Sequence, residues 1–148
     1  MYQFHATIHP MPAAAPGPKV ALAAAIYSTL AVPQELLAAT TFPCSFEEAT
    51  AELNRLERIY CEPDGSWVWV SSQGEPLWQV DGNLYDRAER LLFVDVKGSC
   101  PPQEFDRLLA CFGWPQTPVM MQLVREAVLL EESEFRRWAS AGVAMEGR

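Results

Sequence analysis

Residues 66–98 read SWVWVSSQGEPLWQVDGNLYDRAERLLFVDVKG. Whether this stretch is pleated or helical decides the fold. Ser66–Ser71 is aromatic and β-branched, the composition of a strand. Gln73-Gly74 marks a turn. Asp81-Gly82, between Pro76–Val80 and Asn83–Arg87, carries the strongest short hairpin signal, because both residues of such a turn take positive φ. A two-residue loop there sets Val80 opposite Asn83 and Trp78 opposite Tyr85. Leu91–Lys97 reads as the last strand, closed by Gly98. The stretch is thus expected to form an antiparallel meander.

Side-chain alternation divides this meander into two faces. Val68 and Val70 share one, with Leu92, Val94 and Val96. Trp67 and Trp69 are assigned to the other, with Leu91 and Phe93, and Asp95 and Lys97 continue it. A sheet apolar on both sides must be covered on both. Helices are expected on the valine side. The indole side then needs more helix, a partner or a ligand.

Working outward, Tyr2–Ile8 alternates strictly, with Tyr2, Phe4, Ala6 and Ile8 on one face and Gln3, His5, Thr7 and His9 on the other, as in a half-buried strand. His5 and His9 then lie about 13 Å apart, too far to chelate one ion, and read as two exposed histidines of an edge strand. Pro10, Pro12, Pro16, Gly17 and Pro18 suggest an extended connector over 10–18. Helix is expected over 20–39, alanine-rich to Ala31 and restarting at Pro33. Ser45 and Glu48 form a capping box for a helix over 45–61, with an apolar stripe of Phe46, Ala49, Leu53, Leu56 and Tyr60. Pro101-Pro102 opens a helix over 101–112 with Phe105, Leu108, Leu109 and Phe112 on its inner face. Thr117-Pro118 is expected to cap a long helix over 118–138, with Met120 and Met121 in its apolar girth and a Glu132–Arg136 pair near its end. Residues 139–148 are expected to fray. The fold class is therefore α+β: one domain over 1–148, with an antiparallel sheet of four to five strands (the N-terminal strand plus the 66–97 meander) packed with helices 20–39, 45–61, 101–112 and 118–138.

The 148 residues suffice for one core without metal or disulfide support. Net charge is −8, with 18 of the 19 acids lying beyond residue 44. Such a body repels phosphate backbones and anionic bilayers, so no nucleic acid or membrane partner is expected. The apolar run Val20–Val32 is too short to span a bilayer and no basic segment opens the chain. Cys44, Cys61, Cys100 and Cys111 match no zinc spacing and are expected to be reduced thiols, as in a cytoplasmic protein.

No phosphate loop, HExxH or dinucleotide fingerprint is present. Asp95 beside aromatic rings has the surroundings of a perturbed carboxylate, yet no nucleophile or second carboxylate stands at a readable spacing. No catalytic residue, metal ligand or cofactor is assigned. The functional expectation is a non-enzymatic protein-interaction module, a homodimer or a binder of another protein, using Trp67, Trp69, Trp78, Tyr85, Phe93, Asp95, Met120 and Met121. The alternative is a small-molecule-binding protein or small enzyme with those aromatics lining a pocket between sheet and helices.

Overall fold

A computed structural model describes residues 1–146, with side chains through residue 141. The elements in chain order are β1 (Tyr2–Pro10), β2 (Ala15–Leu22), β3 (Ala25–Ala31), α1 (Gln34–Ala39), α2 (Phe46–Leu53), β4 (Ile59–Cys61), β5 (Ser66–Val70), β6 (Gln79–Arg87), β7 (Arg90–Cys100), α3 (Pro102–Ala110), β8 (Val119–Leu123), β9 (Leu129–Glu131) and α4 (Glu132–Glu146). The class is mixed α and β as expected, but sheet dominates. The nine strands form one antiparallel sheet in the order β2-β3-β9-β8-β1-β7-β6-β5-β4.

β1 fulfils its alternation but lies in the middle of the sheet, between β7 and β8, not at an edge. Its even-numbered residues face the helices. Tyr2 and Phe4 pack on Phe105 of α3, and Phe4 also on Phe135 of α4. Arg136 ties this layer together. Its guanidinium pairs with Asp106 of α3 (2.8 Å) and with Glu132 one turn back (2.7 Å), and lies over the rings of Tyr2, Phe105 and Trp114. The Glu132–Arg136 pair read from the spacing is present.

The capping box at Ser45 is present with both reciprocal bonds. The helix it opens stops at Leu53, however, and Tyr60, expected on its inner stripe, stands 66% exposed on β4. α3 forms close to its expected bounds, with Phe105, Leu108, Leu109 and Phe112 buried.

Three expected elements differ. The span 20–39 is a β2–β3 hairpin followed by the short α1. Val20, Leu22, Ile26, Tyr27 and Thr29 supply the β-forming side chains that outweigh the alanines. The expected connector 10–18 supplies the start of β2. An outermost strand tolerates Pro16 and Pro18, whose missing N–H groups leave the bare edge less able to pair. The span 118–138 is β8, a tight turn, β9 and only then helix. Its run of Val119, Met120, Met121 and Leu123 is apolar on both sides because the strand is buried on both sides, which imitates an all-round apolar helix. Ala139 is fully buried and α4 continues to Glu146, so fraying does not begin where expected; residues 147–148 lie outside the described chain.

The expected Asp81-Gly82 turn is also absent. β6 runs straight through it, with Trp67 opposite Gly82 and Asp81 between Val68 and Lys97. The glycine serves a close approach: a Cβ at this position would fall within the indole ring of Trp67. The β6–β7 turn is instead Ala88-Glu89, both at positive φ. Gly82→Ala is therefore expected to cost about 1–3 kcal/mol by overpacking, read by urea denaturation, while Asp81→Ala on the exposed side stays within about 0.5 kcal/mol. Equal effects of the two would contradict this packing.

Candidate functional site

The sheet has two unlike faces. On the helix side lie Trp67 and Trp69 of β5, Val80 and Leu84 of β6, Leu91, Val94 and Val96 of β7, and Ala6 and Ile8 of β1, all buried in one core. A register irregularity between Tyr85 and Asp86 in the β6–β7 ladder separates Leu91 from Phe93, which were expected on one face. Leu91 joins the core, and Phe93 and Asp95 project from the opposite face, away from the tryptophans. Val94 and Val96 face the helices as expected, but on β5 the faces are exchanged: Trp67 and Trp69, not Val68 and Val70, join them as the floor for the helices.

Cross-strand register orders the other face into rows. Tyr60, Val68, Asp81, Lys97 and His5 are successive partners across β4, β5, β6, β7 and β1; Ser66, Asn83, Asp95, Thr7 and Gln122 form the next row. Beyond them Tyr85 stacks on Phe93 (centroids 4.6 Å apart) and Phe93 on His9 (5.4 Å). The face is open at its β4–β6 end, where Tyr60 and Tyr85 are exposed, and closed toward β8, where His9 is 5% exposed and Met120 wholly buried.

Burial sets the chemistry of this face. His9 accepts or donates a 2.7 Å hydrogen bond with Thr7 Oγ1, and desolvation lowers its pKa to about 4, so the imidazole is neutral at pH 7. His5 Nε2 lies 3.8 Å from Asp95 Oδ1. Asp95 Oδ1 and Asn83 Oδ1 are buried atoms with no hydrogen-bond donor among the described residues. Such oxygens cost stability unless a partner meets them.

The residues singled out in the sequence divide accordingly. Trp67, Trp69 and Trp78 are buried in the core, and Trp69 is fixed by an edge contact with Trp78 (4.9 Å) and an indole N–H bond to the Glu57 carbonyl. Met121 is in the same core, and Met120 is buried on the other side of β8. Tyr85, Phe93 and Asp95 do converge, on the helix-free face. The sequence reading missed their neighbours Tyr60, Val68, Asn83, Thr7 and His9; the alternation of β1 was the available signal for Thr7 and His9. All four cysteines are unbridged, and burial pushes the thiols of Cys100 and Cys111 up to about 12, so neither supplies a thiolate near pH 7. Among the described residues no three His, Cys, Asp or Glu side chains gather as around a metal ion, and no helix is long and apolar enough to cross a membrane.

Two of the surface grooves among the described residues border the helix-free face. One, of about 570 Å³, runs between the start of α2 and β6, with Phe46, Asn83 and Tyr85 in its walls. The other, of about 440 Å³, lies where β1, β7 and the β8–β9 turn meet α4. The chain matches no family model, and comparison with curated proteins and with solved structures finds no similar one.

Proposed function

We propose that the protein is a non-enzymatic interaction module that self-associates through the helix-free face of its sheet. The observation that carries this reading is the row of Tyr60, Val68 and, beside it, Tyr85 and Phe93 on the sheet face opposite the core helices, with Tyr60 and Tyr85 66% and 41% exposed. Aromatic side chains ringed by polar groups make the core of a protein interface. A second copy suits it because donors and acids sit side by side there: Asp81 opposite Lys97, and Asp95 3.8 Å from His5. Of the chain's 19 acids the two cross-strand rows of this face hold Asp81 and Asp95, with Lys97 between them, so two such faces meet little repulsion. Four unbridged thiols fit the module to a reducing compartment such as the cytoplasm.

Light scattering is expected to give a dimer mass at micromolar concentration. Tyr85→Glu, at an exposed position, should shift the chain to monomer with an unchanged circular dichroism spectrum. A wild-type monomer at about 100-fold higher concentration would overturn the reading. The groove between α2 and β6 favours a second reading, a small-molecule binder, because it brings Phe46 and Tyr85 together with the unpartnered Asn83 oxygen. Melting-temperature shifts with a metabolite panel, abolished by Tyr85→Ala in a monomeric protein, would select it.

A further inference from the structure

We propose that the second groove is a binding site for a small organic oxyanion, a carboxylate or phosphate attached to a flat apolar body. This goes beyond the self-association reading and does not rest on it; because His5 and Lys97 also stand in the row of the self-association face, the titrations are made on the Tyr85→Glu variant.

The site begins with strand register. Gln3 lies opposite Ser99 and His5 opposite Lys97 in the β1–β7 ladder. Residues two apart on a strand share a face, so these four side chains form a two-by-two array on the helix-free side. Each can donate a hydrogen bond. β8 pairs only with Ala6–Pro10, so the β1 backbone at Gln3 and Phe4 has no strand beside it there, and the groove passes over that open edge. The chain leaving β8 is fastened at this point by the Val124 N–H, which donates to the His5 carbonyl at 3.1 Å. That bond delivers Arg125 to the groove. On the far wall stands Trp138 of α4, half-buried, whose indole offers the apolar surface.

Charge gives the array its selectivity. In a chain with eight more acids than bases, Lys97 and Arg125 meet at one groove, and neither has a carboxylate within 4.0 Å among the described residues. Glu126 is the acidic side chain in the wall; Asp81 lies opposite Lys97 in the β6–β7 ladder without an ion pair to it among the described residues, and Asp95 lies on the His5 side. Two unpaired cations, three further donors and an indole suit an oxyanion with a planar body: the charge meets Lys97 and Arg125, and the body lies on Trp138. A volume of about 440 Å³ matches a ligand of that size.

Phenyl phosphate, benzoate and inorganic phosphate are the probes, read by backbone amide NMR titration. Phenyl phosphate and benzoate are expected to shift the amides of Gln3–His5, Lys97–Ser99 and Arg125 saturably in the millimolar range; inorganic phosphate should bind about tenfold more weakly. Lys97→Gln and Arg125→Gln, both at exposed positions, should each weaken phenyl phosphate about tenfold without altering the amide spectrum elsewhere. Trp138→Leu should weaken phenyl phosphate but not inorganic phosphate. Arg87→Gln, across the molecule, should change nothing. No saturation by 20 mM (roughly the weakest binding such a site would show) or equal binding by the Lys97→Gln/Arg125→Gln double variant would overturn the proposal. Failure of dimerisation in the Tyr85→Glu variant leaves this result unaffected, so the two readings fall separately.

Discussion

Replacing Trp69 with alanine is expected to destabilise the monomer by about 3–5 kcal/mol, a large share of the stability of a domain this size. Trp69 is 1% exposed, and its loss empties the space between Trp78 and the segment carrying Glu57. The cost combines lost transfer energy with a cavity that the surrounding strands fill incompletely. It also strands the Glu57 carbonyl, which the indole N–H meets at 3.0 Å. Should the alanine variant fail to fold, Trp69→Phe retains most of the ring volume and gives a measurable partial loss. Urea denaturation at a protein concentration below the association range separates core from interface. A Trp69→Ala chain that keeps the wild-type midpoint but loses self-association would place this indole at an interface and sink the core assignment. Tyr85→Ala, on the open face, is expected to show the opposite pattern: little change in midpoint and lost association.

That contrast marks how far the amino-acid pattern alone carries the fold. Local devices with a self-contained mechanism were legible. The capping box needs only Ser45 and Glu48, and the alternation of β1 needs only one buried face. What failed were signals whose meaning is set from a distance. Asp81-Gly82 has turn chemistry, but Gly82 is required by an indole arriving from the neighbouring strand. Met120 and Met121 read as helix because an interior strand is apolar all round, and only the sheet's nine-stranded width makes β8 interior. The candidate face suffered the same fate. Alternation correctly separated the two faces of β5 and of Phe93–Lys97, but the register through β6 sets Val96 in line with Trp67 and Lys97 in line with Val68, so the faces of β5 and β7 were joined the wrong way; the irregularity after Tyr85 leaves Leu91 alone on the expected side. Side-chain type then misled the functional reading, since tryptophan excess suggested an interface where the structure has core. Tyr85, Phe93 and Asp95 survive as neighbours because they follow one another across β6 and β7.

Acid is expected to act on the protein through His9 before it acts through the carboxylates. The imidazole is 5% exposed, stacked on Phe93, bonded to Thr7, and without a carboxylate at ion-pair distance among the described residues. Desolvation therefore disfavours its charged form and lowers the folded pKa to about 4, against 6.5 for the free side chain. The sign follows from proton counting. Between these values the unfolded chain holds a proton on His9 that the folded chain lacks, so acidification draws the equilibrium toward the unfolded state. Stability is fully present above pH 6.5, falls by up to about 1.4 kcal/mol per pH unit below it, and has lost roughly 3 kcal/mol by pH 4, where the folded form also takes up the proton. The carboxylates of Glu48, Asp64 and Glu134 are held below their ordinary range by hydrogen bonds from Ser45, Ser66 and Arg137 respectively, so their contributions are lost at lower pH than most of this window. Urea denaturation from pH 7 to 4.5 is expected to show the slope in the wild type and a nearly flat profile in His9→Gln. A wild type with no slope, or a variant that keeps it, would mean that the imbalance of protons lies elsewhere. Because Phe93 rests on the imidazole and Tyr85 on Phe93, the same protonation is expected to loosen the aromatic row of the recognition face, and dimer dissociation should follow the same pH course.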